Sequence, residues 1–373
     1  MKITFDREQF LAAFQTAAAV APRNSPKPIL SNVKLEVNDQ GGVLLATDLE
    51  VGVRMNVEGI ETERPGAAVL PVARFGSILR ECNDERLTLE ADSQGAVVRG
   101  ARSEFNLPGA DPGEFPTFAP FSEEKYHEVP ARLLRELIRR TVFAADVDTG
   151  RFALQGVLVE MDEKSIITVA TDSRRLAKME GPANSVNGHS NKGMMTIVPA
   201  RAMQLIERAV ADGDAEVQIA ARSNDILVRS PRATITSRLV EGRFPKWRDV
   251  FPVRPKAVKI ELTVGPIFQA LRQAAIVTDQ ESQGVDFTFA EGTLVLSGRA
   301  AEIGRSRIET PIPYDGPKVE LTLNHKYVAD FFKVLDPEKT FTVEVVDADS
   351  AALFTTDDGY AYVVMPLSRE GRD

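Results

Sequence analysis

The sequence carries an internal repeat, and this repeat constrains the fold more than any other feature. Residues 170–178 read Ala-Thr-Asp-Ser-Arg-Arg-Leu-Ala-Lys, and residues 46–54 read Ala-Thr-Asp-Leu-Glu-Val-Gly-Val-Arg. After each copy comes a helical pattern, which begins at Pro71 or Pro199. Proline suits the first turn of a helix because its missing N–H is not needed there. Matching motifs with matching flanks indicate a duplicated structural unit.

A third version of the helical pattern lies at 323–335, so the copies are roughly 125 residues apart, much farther than in solenoid repeats. Such a period predicts whole domains, which we place at 1–122, 123–254 and 255–373. We predict an α+β fold in which each repeated domain has two amphipathic helices and about eight strands. The first helix of the second domain is predicted over 131–145, and a long, polar, mobile loop over 181–193.

The net charge of −9 hides a segregation of charge. The six predicted helical segments carry 12 Lys and Arg against 6 Asp and Glu, and the rest of the chain is acidic. For any one helix, ordinary solvated charge explains the pattern, but six equivalent helices favour a common basic face that attracts phosphate. These segments are 5–20, 71–81, 131–143, 199–210, 266–276 and 324–335.

The number of helices predicts how many chains are needed to enclose DNA. If equivalent helices line a closed ring at a spacing of about 10 Å, six of them leave a hole of roughly 9 Å and twelve leave roughly 28 Å. A DNA duplex is about 20 Å wide. Two chains, and not one, would therefore surround a duplex with room for water.

Other classes of protein have little support in the sequence. There is one cysteine, Cys82, and the three histidines, His127, His189 and His325, lack metal-ligand spacing. Asp48 and Asp172 are better explained by turn chemistry than as paired catalytic carboxylates. We find no motif of a hydrolase or a nucleotide-binding loop, and no apolar run that would span a membrane. We therefore expect no catalytic residue, no metal, no cofactor, no membrane partner and a cytoplasmic location.

Several motifs, in their order and spacing, carry a family resemblance that covers essentially the whole chain. They are Pro28-Ile29-Leu30, Thr47-Asp48-Leu49-Glu50, Ala170-Thr171-Asp172, Glu241-Gly242-Arg243-Phe244-Pro245 and Tyr362-Val363-Val364-Met365-Pro366-Leu367. With them the chain resembles the bacterial sliding clamps, the beta subunits of DNA polymerase III. The resemblance implies a head-to-tail homodimeric ring with helices lining the hole. Such a ring slides on duplex DNA, tethers the replicative polymerase as a processivity factor and is loaded by an ATP-driven clamp loader.

Basic residues on the predicted helices and loops are the candidates for DNA contact, although each alone is also explained as ordinary surface charge. From the charge pattern these are Arg23, Arg132, Arg135, Arg139, Arg201 and Lys333. The resemblance adds a turn that contains Arg151 and Phe152.

The resemblance also implies a groove that accepts short peptides from polymerases, the loader and other proteins. Carried over to this sequence, its residues are Leu154, Thr171, Arg175, Leu176, Pro245, Val250, Asn324, Tyr327, Val363, Val364, Met365, Pro366 and Leu367. Without the resemblance, the apolar strand residues among them would be assigned to a core. Ser173, Arg174 and Asp249 depart from the family pattern, so the preferred peptide motif stays open, as does the role of the tail 368–373.

For the dimer contact the resemblance implies Phe105 from the first domain and Ile276 and Val277 from the third; the dimer affinity stays open. An alternative function is a ring or scaffold protein that binds partner peptides without enclosing DNA. The basic helices argue against this alternative only in aggregate.

Overall fold

The computed structural model describes residues 1–92, 94–118, 120–146, 152–210, 213–251, 254, 257–301 and 303–367. These residues form six α-helices and 26 strands, which confirms the predicted α+β class. Contacts divide them into two compact units. Unit 1 comprises Met1–Arg135, Met161–Lys164 and Ala183–Val240, and unit 2 comprises Glu136–Glu160, Ser165–Pro182 and the chain from Glu241 onward.

The six helices lie where the sequence predicts them. They are α1 Arg7–Ala18, α2 Val72–Glu81, α3 Ala131–Arg139, α4 Ala200–Ala209, α5 Val264–Ala274 and α6 His325–Lys333. The α2 and α4 helices begin directly after Pro71 and Pro199, as expected from the pattern.

The prediction of a continuous helix over 131–145 is wrong at its C-terminal end. The α3 helix ends at Arg139, and a short 3₁₀ helix, Val142–Ala144, follows. Two threonine hydroxyls, those of Thr141 and Thr168, donate to the carbonyl of Leu137 at 2.6 and 3.0 Å. Because side chains engage the carbonyl that the next turn would use, α helical hydrogen bonding stops there.

The strands fall into three runs along the chain. The first run is β1 Lys2–Asp6, β2 Asn32–Asn38, β3 Gly41–Thr47, β4 Val51–Val57, β5 Ile60–Arg64, β6 Gly66–Pro71, β7 Arg86–Ala91, β8 Gly95–Arg99 and β9 Glu104–Pro108. The second is β10 Tyr126–Pro130, β11 Gly156–Asp162, β12 Ser165–Thr171, β13 Arg175–Pro182, β14 Asn184–Val186, β15 Ile197–Pro199, β16 Glu216–Ala221, β17 Asp225–Arg229 and β18 Ala233–Arg238. The third is β19 Val258–Thr263, β20 Gly284–Ala290, β21 Thr293–Ala300, β22 Gly304–Pro311, β23 Val319–Asn324, β24 Thr340–Val345, β25 Ala352–Thr355 and β26 Tyr360–Val364.

Each unit contains two antiparallel sheets. In unit 1 the strand orders are β5-β1-β7-β8-β9 and β14-β10-β16-β17-β18-β4-β3-β2-β6. In unit 2 they are β22-β21-β20-β23 and β11-β12-β13-β26-β25-β24-β19. Aromatic side chains form much of each core: Phe10, Phe14 and Phe75 pack between α1 and α2, and Phe331 stacks on Tyr360 and Tyr362.

The repeated Thr-Asp motif folds into the same turn in both copies. Thr47 Oγ1 accepts the N–H of Leu49, and Asp48 Oδ1 accepts those of Glu50 and Val51. The second copy has the same bonds: Thr171 Oγ1 accepts the N–H of Ser173, and Asp172 Oδ1 accepts the N–H groups of Arg174 and Arg175. The interpretation of both aspartates as turn residues is therefore confirmed.

The apex of each turn has a left-handed backbone, with φ of 79° at Leu49 and 76° at Ser173. A non-glycine residue pays about 1–2 kcal/mol for this conformation. Leu49→Gly removes that cost while losing little burial, because Leu49 is 46% exposed. Glycine also has more conformational freedom in the unfolded chain, which lowers the free energy of unfolding by about 0.5–1 kcal/mol. The net result we expect is a free energy of unfolding that is about 0.5 kcal/mol higher, and a higher Tm. Leu49→Ala is the matched control, since it keeps the Cβ and should gain nothing; an equal gain in both variants would contradict this account.

The two Thr-Asp turns lie where successive repeats join. In unit 1, β4 pairs with β18, with Val51 opposite Ser237. In unit 2, β13 pairs with β26, with Arg175 opposite Val364. One more backbone hydrogen bond extends each pairing. The N–H of Arg238 donates to the carbonyl of Glu50 at 2.9 Å in unit 1, and the N–H of Met365 donates to the carbonyl of Arg174 at 2.9 Å in unit 2. We call these two places the first and second junctions.

Candidate nucleic-acid and partner-binding sites

An open basic cleft of about 580 Å³ lies between α1, α2 and α4 of unit 1. Its described lining includes four arginines and no carboxylate, and we call it the arginine cleft. The arginines are Arg23, Arg80, Arg201 and Arg208. Such a concentration of one sign of charge in a concave surface attracts anions, and phosphate is the anion that arginine recognises best.

Two of these arginines, Arg80 and Arg208, are not among the sequence-predicted candidates. Both lie in the last turn of their helices, and each stands nine residues after the proline that precedes the helix. Lys333 holds the corresponding position in the last turn of α6, nine residues after Asn324. Alignment of the three helical patterns on their starts is the signal that would have identified all three positions.

Arg201 lines the cleft but is engaged inside unit 1. Its guanidinium donates to Asp48 at 2.9 Å and to the carbonyls of Ala19 and Val20 at 3.2 and 2.9 Å. Arg201 therefore ties the C-terminal end of α1 to the Thr-Asp turn. Its charge is partly neutralised, whereas no carboxylate in the described residues pairs with Arg23, Arg80 or Arg208.

The other predicted DNA residues differ in how free their charges are. Arg132 is exposed and Arg135 is half-buried. Arg139 pairs with Glu136 at 2.6 Å, and Lys333 pairs with Asp330 at 2.8 Å. Phe152 is 68% exposed, as a side chain that touches a ligand would be. Arg151 lies outside the described residues.

All thirteen residues of the predicted peptide groove belong to unit 2. The register of β12, β13 and β26 brings Thr171, Leu176 and Val363 side by side across three strands. These three side chains are at most 5% exposed, and Leu154, Val364 and Asn324 are also buried. The more accessible members are Arg175, Pro245, Val250, Tyr327, Met365, Pro366 and Leu367. Met365 stands out because it is apolar and 47% exposed.

Arg175 holds this part of unit 2 together. Its guanidinium donates to Asp172 at 2.9 Å, to Asp330 at 2.7 Å and to the carbonyl of Phe143 at 2.9 Å. It also lies 4.5 Å from the centre of the Tyr327 ring. Burial opposes its charge, but Tyr362, Asp330 and Asp172 outweigh burial and raise the pKa of Arg175 above its usual value. Arg175 is therefore a permanent cation that positions its neighbours.

The C-terminal segment is fixed by backbone bonds that leave its side chains accessible. The N–H of Met365 is bound at the second junction, and the N–H of Leu367 donates to the carbonyl of Thr322 at 2.8 Å. Nearby, Asn324 caps α6 by accepting the N–H of Lys326 at 2.9 Å, and Tyr362 donates to the carbonyl of Tyr327 at 3.0 Å. The tail 368–373 lies outside the described residues.

The residues predicted for the dimer contact lie at or beside strands at sheet edges. In unit 1, Phe105 is half-buried on β9, an edge strand of its sheet. In unit 2, Ile276 is 75% exposed, and Val277 packs near Gly304 of β22, also an edge strand. Ile303, just before β22, is 59% exposed and was not identified from the sequence. Among the described strands, both edges thus combine backbone without a pairing partner and apolar side chains.

Two of the histidines, His127 and His189, meet in unit 1 although 62 residues separate them. Nε2 of His127 donates to the carbonyl of Asp162 at 2.7 Å, so its Nδ1 accepts. Nδ1 of His189 donates to Nδ1 of His127 at 2.6 Å, and Nε2 of His189 accepts the N–H of Ala221 at 3.2 Å. This chain satisfies every ring nitrogen only when both imidazoles are neutral. It also anchors the segment 181–193, which includes β14, so the loop expected there is in fact partly a strand with a buried anchor.

The histidine pair predicts an acid-sensitive stability. Burial, and then the neighbouring His127, lower the pKa of His189 below its usual 6.5. A neutral group with a lowered folded pKa contributes stability that is fully present above about pH 6.5 and is lost as the pH falls below it. We expect the free energy of unfolding to decline from pH 6.5 towards 5 by up to about 1.4 kcal/mol per unit, and His189→Gln to weaken this dependence. Burial also lowers the pKa of His325, so His325→Gln measures the share of that residue in the same pH dependence. An unchanged slope in His189→Gln would contradict the assignment of the acid sensitivity to His189.

No group of three or more His, Cys, Asp or Glu side chains within the described ranges is arranged to hold a metal ion. Among the helices given above, none is long and apolar enough to cross a membrane.

The fold and the junctions define the chain as a repeat-built α+β protein with a basic cleft and an accessible apolar segment.

Comparison with known proteins identifies the family. Three sequence-family models match in succession: the DNA polymerase III beta subunit N-terminal domain over residues 1–119, its central domain over 128–246 and its C-terminal domain over 248–368. The beta sliding clamp of Pseudomonas putida is 31% identical over 376 residues, which cover 98% of this chain and 100% of that protein. The beta sliding clamp of Escherichia coli strain K12 is 30% identical over 373 residues, with the same coverage.

A solved structure agrees. The sliding clamp of Pseudomonas aeruginosa bound to griselimycin matches with a TM-score of 0.89 and 28% identity, over 99% of each chain. The Bacillus subtilis clamp, at 22% identity and a TM-score of 0.88, shares the fold. The chain belongs to the DNA polymerase III beta subunit family, the beta sliding clamps.

Proposed function

We propose that the chain is a DNA sliding clamp: two copies form a closed ring around duplex DNA and tether the replicative polymerase as a processivity factor. The observation that carries the proposal is the pairing of strands at the junctions. Successive repeats join by antiparallel pairing of β4 with β18 and of β13 with β26. The corresponding end strands, β22 and β9, have a free edge in their sheets. Pairing β22 of one copy with β9 of another would extend the same rule and close the ring, because a heterologous contact closes when the rotation completes a circle.

The two edges carry opposite net charge: β22 has Arg305, Arg307 and Glu309, and β9 has Glu104. Arg307 pairs with Glu309 at 2.7 Å, and Glu104 pairs with Arg99 of β8 at 2.8 Å. Exposed apolar side chains flank the β22 edge at Ile276 and Ile303. An edge strand with exposed apolar neighbours is a ready template for pairing with another chain. The dimer contact therefore includes Phe105, Ile276 and Val277, together with Ile303.

Within this proposal the arginine cleft and the other candidate cations face the duplex. Weak attraction to phosphate, shared among many side chains and screened by salt, suits a ring that must slide. Arg23, Arg80 and Arg208 carry more of this attraction than Arg201, whose guanidinium is engaged by Asp48. Enclosure, rather than tight contact, retains the ring on DNA.

Partner proteins dock through a short peptide at the second junction. The accessible apolar side chains of Met365, Pro366 and Leu367 provide the surface, and methionine adapts to anchors of different shape. The partners are the replicative polymerase, the clamp loader and other proteins with a peptide motif. The protein itself catalyses no reaction, needs no cofactor and works in the cytoplasm.

Retention on DNA tests the enclosure. The protein is loaded onto a nicked circular plasmid with a clamp loader, the circle is cut once, and bound protein is followed by gel filtration. We expect persistence on the circle and rapid loss after cutting. Equal loss from both forms would favour the scaffold alternative.

Arg80→Gln combined with Arg208→Gln should lower loading at moderate salt without abolishing retention on the circle.

A further inference from the structure

The segment 241–251 carries two residues of the proposed peptide groove, Pro245 and Val250, but has little regular structure of its own. The structure describes all of this segment, and its one regular element is a 3₁₀ helix of four residues, Trp247–Val250, whose N-terminus no side chain caps. A helix of one turn is not stable by itself. Contacts from outside the segment must therefore hold the two groove side chains in place.

The strand β11 and the turn before it contact the segment at two points. A Cβ added to Gly242 would meet the Cβ of Ala153 at 3.1 Å, so the backbones lie close together there. Five residues further along, Nε1 of Trp247 donates to Oε1 of Glu160 on β11 at 3.3 Å. Pro245 stands between these two contacts in the sequence, so the segment is held on both sides of it.

Three side chains form the second contact, and we call them the Trp247 cluster: Glu160, Trp247 and Arg248. The guanidinium of Arg248 donates to Oε1 of Glu160 at 3.1 Å and to Oε2 at 2.5 Å. It also lies 4.2 Å from the centre of the Trp247 ring. A bidentate pair fixes the orientation of the guanidinium as well as its distance, and the indole adds a cation–π attraction. One carboxylate therefore holds two successive residues of the 3₁₀ helix.

The Trp247 cluster differs from an ordinary surface ion pair because it covers a buried ring. Trp247 is 7% exposed and meets Phe251 edge to face, with ring centres 6.0 Å apart, whereas the side chain of Arg248 is 62% exposed. The guanidinium thus lies on the solvent side of the indole. The groove residues are tied to the same ring, since the carbonyl of Pro245 accepts the N–H of Trp247 at 2.8 Å and Val250 ends the 3₁₀ helix.

We propose that Glu160 is a positioning residue of the peptide groove. Through the Trp247 cluster it fixes the wall that carries Pro245 and Val250 before a partner peptide arrives. The inference rests on the proposed groove and adds a residue that acts on the wall rather than on the peptide. Each side chain that must be immobilised on binding lowers the affinity, so a wall that is already fixed binds more tightly than a loose one.

The test measures how the full-length protein binds a fluorescein-labelled decapeptide with adjacent Leu and Phe in a neutral polar background, by fluorescence anisotropy. Glu160→Gln keeps an acceptor oxygen for the indole but loses the charge, and we expect it to raise the Kd about 3- to 10-fold. The matched control is Glu344→Gln, which breaks the ion pair with Lys259 at 2.7 Å on other strands of the same sheet and should leave the Kd unchanged.

A double-mutant cycle tests whether Glu160 acts through Arg248. If the two act as one unit, Arg248→Gln should weaken binding about as much as Glu160→Gln, and the double variant no more than either. Reversal of both charges, Glu160→Arg with Arg248→Glu, should recover part of the affinity because it forms an ion pair again. Additive losses would mean that Arg248 binds the peptide by itself, and they would overturn the positioning role.

Trp247 reports on the cluster directly because it is the only tryptophan in the sequence. Acrylamide quenching of its fluorescence should increase in Glu160→Gln and should fall again when unlabelled peptide is bound. A general loss of stability would lower the Tm without this protection by the peptide. Unchanged quenching in Glu160→Gln, or a Kd equal to that of the unmodified protein, would overturn the proposal.

Met365→Asp tests the groove independently of Glu160. If Met365→Asp abolishes peptide binding while the quenching of Trp247 stays normal, the groove stands, and Glu160→Gln alone decides the positioning role. If no peptide binds, or if Met365→Asp has no effect, the groove is overturned and the role of Glu160 in it falls as well.

Discussion

Ile276→Asp is expected to convert the proposed dimer into a monomer. Ile276 is 75% exposed in a single chain and stands beside the β22 edge that we propose to pair with β9 of a second copy. Closing that contact over a carboxylate would bury an unpaired charge, which costs about 3–5 kcal/mol, or a factor of roughly 100 to 1,000 or more in the dissociation constant. Sedimentation equilibrium at micromolar concentration measures the change directly.

The same substitution should leave the fold of the single chain intact, because the side chain is exposed there. Circular dichroism and the Tm therefore serve as controls. The matched control is Val346→Asp, which alters an exposed apolar residue just after β24, in the other sheet of unit 2 from β22, and should leave the dimer unchanged. An Ile276→Asp protein that stays dimeric at nanomolar concentration would rule out the proposed contact.

Arg175→Met is expected to destabilise unit 2 by about 3 kcal/mol. The substitution keeps much of the apolar volume but leaves Asp172 and Asp330 without the guanidinium that they share, and it removes the bond to the carbonyl of Phe143. Hydrogen exchange of the β13 and β26 amides reports the loss locally, and chemical denaturation reports it for the unit.

The control for this prediction is Arg243→Met, which removes an exposed arginine from the same unit and should change stability by less than about 0.5 kcal/mol. Equal losses in the two variants would mean that Arg175 contributes only general charge. Peptide binding should weaken in Arg175→Met as well, since Arg175 braces Tyr327 and the strand that pairs with β26.

Local pattern was sufficient to predict the helices and the Thr-Asp turns. The prolines and the apolar spacing of α2 and α4 act within a few residues, and so do the bonds of Asp48 and Asp172. The end of α3 was missed because it depends on Thr168, a residue from a strand 31 positions away from the carbonyl of Leu137, as well as on the local hydroxyl of Thr141.

The sites were predictable where the repeat or the resemblance marked them, and less so where distant residues decide the chemistry. Positive charge on a helix is visible in the sequence, but the engagement of Arg201 by Asp48, 153 residues away, is not. The same holds for Arg175 and Asp330 and for the two histidines, which become neighbours only in the folded sheet. Arg80 and Arg208 could have been found, because they occupy equivalent positions in the repeated helices.

The Thr-Asp turns show how the repeats can diverge without losing their architecture. The threonine and aspartate side chains bind the backbone of the turn at both of its ends, so they encode its shape, and the apex residue merely tolerates it. Leucine occupies the apex in one copy and serine in the other, at nearly the same φ. The two positions that define the turn are therefore under structural constraint, whereas the apex and the residue after it are free to take on a different surface chemistry in each copy.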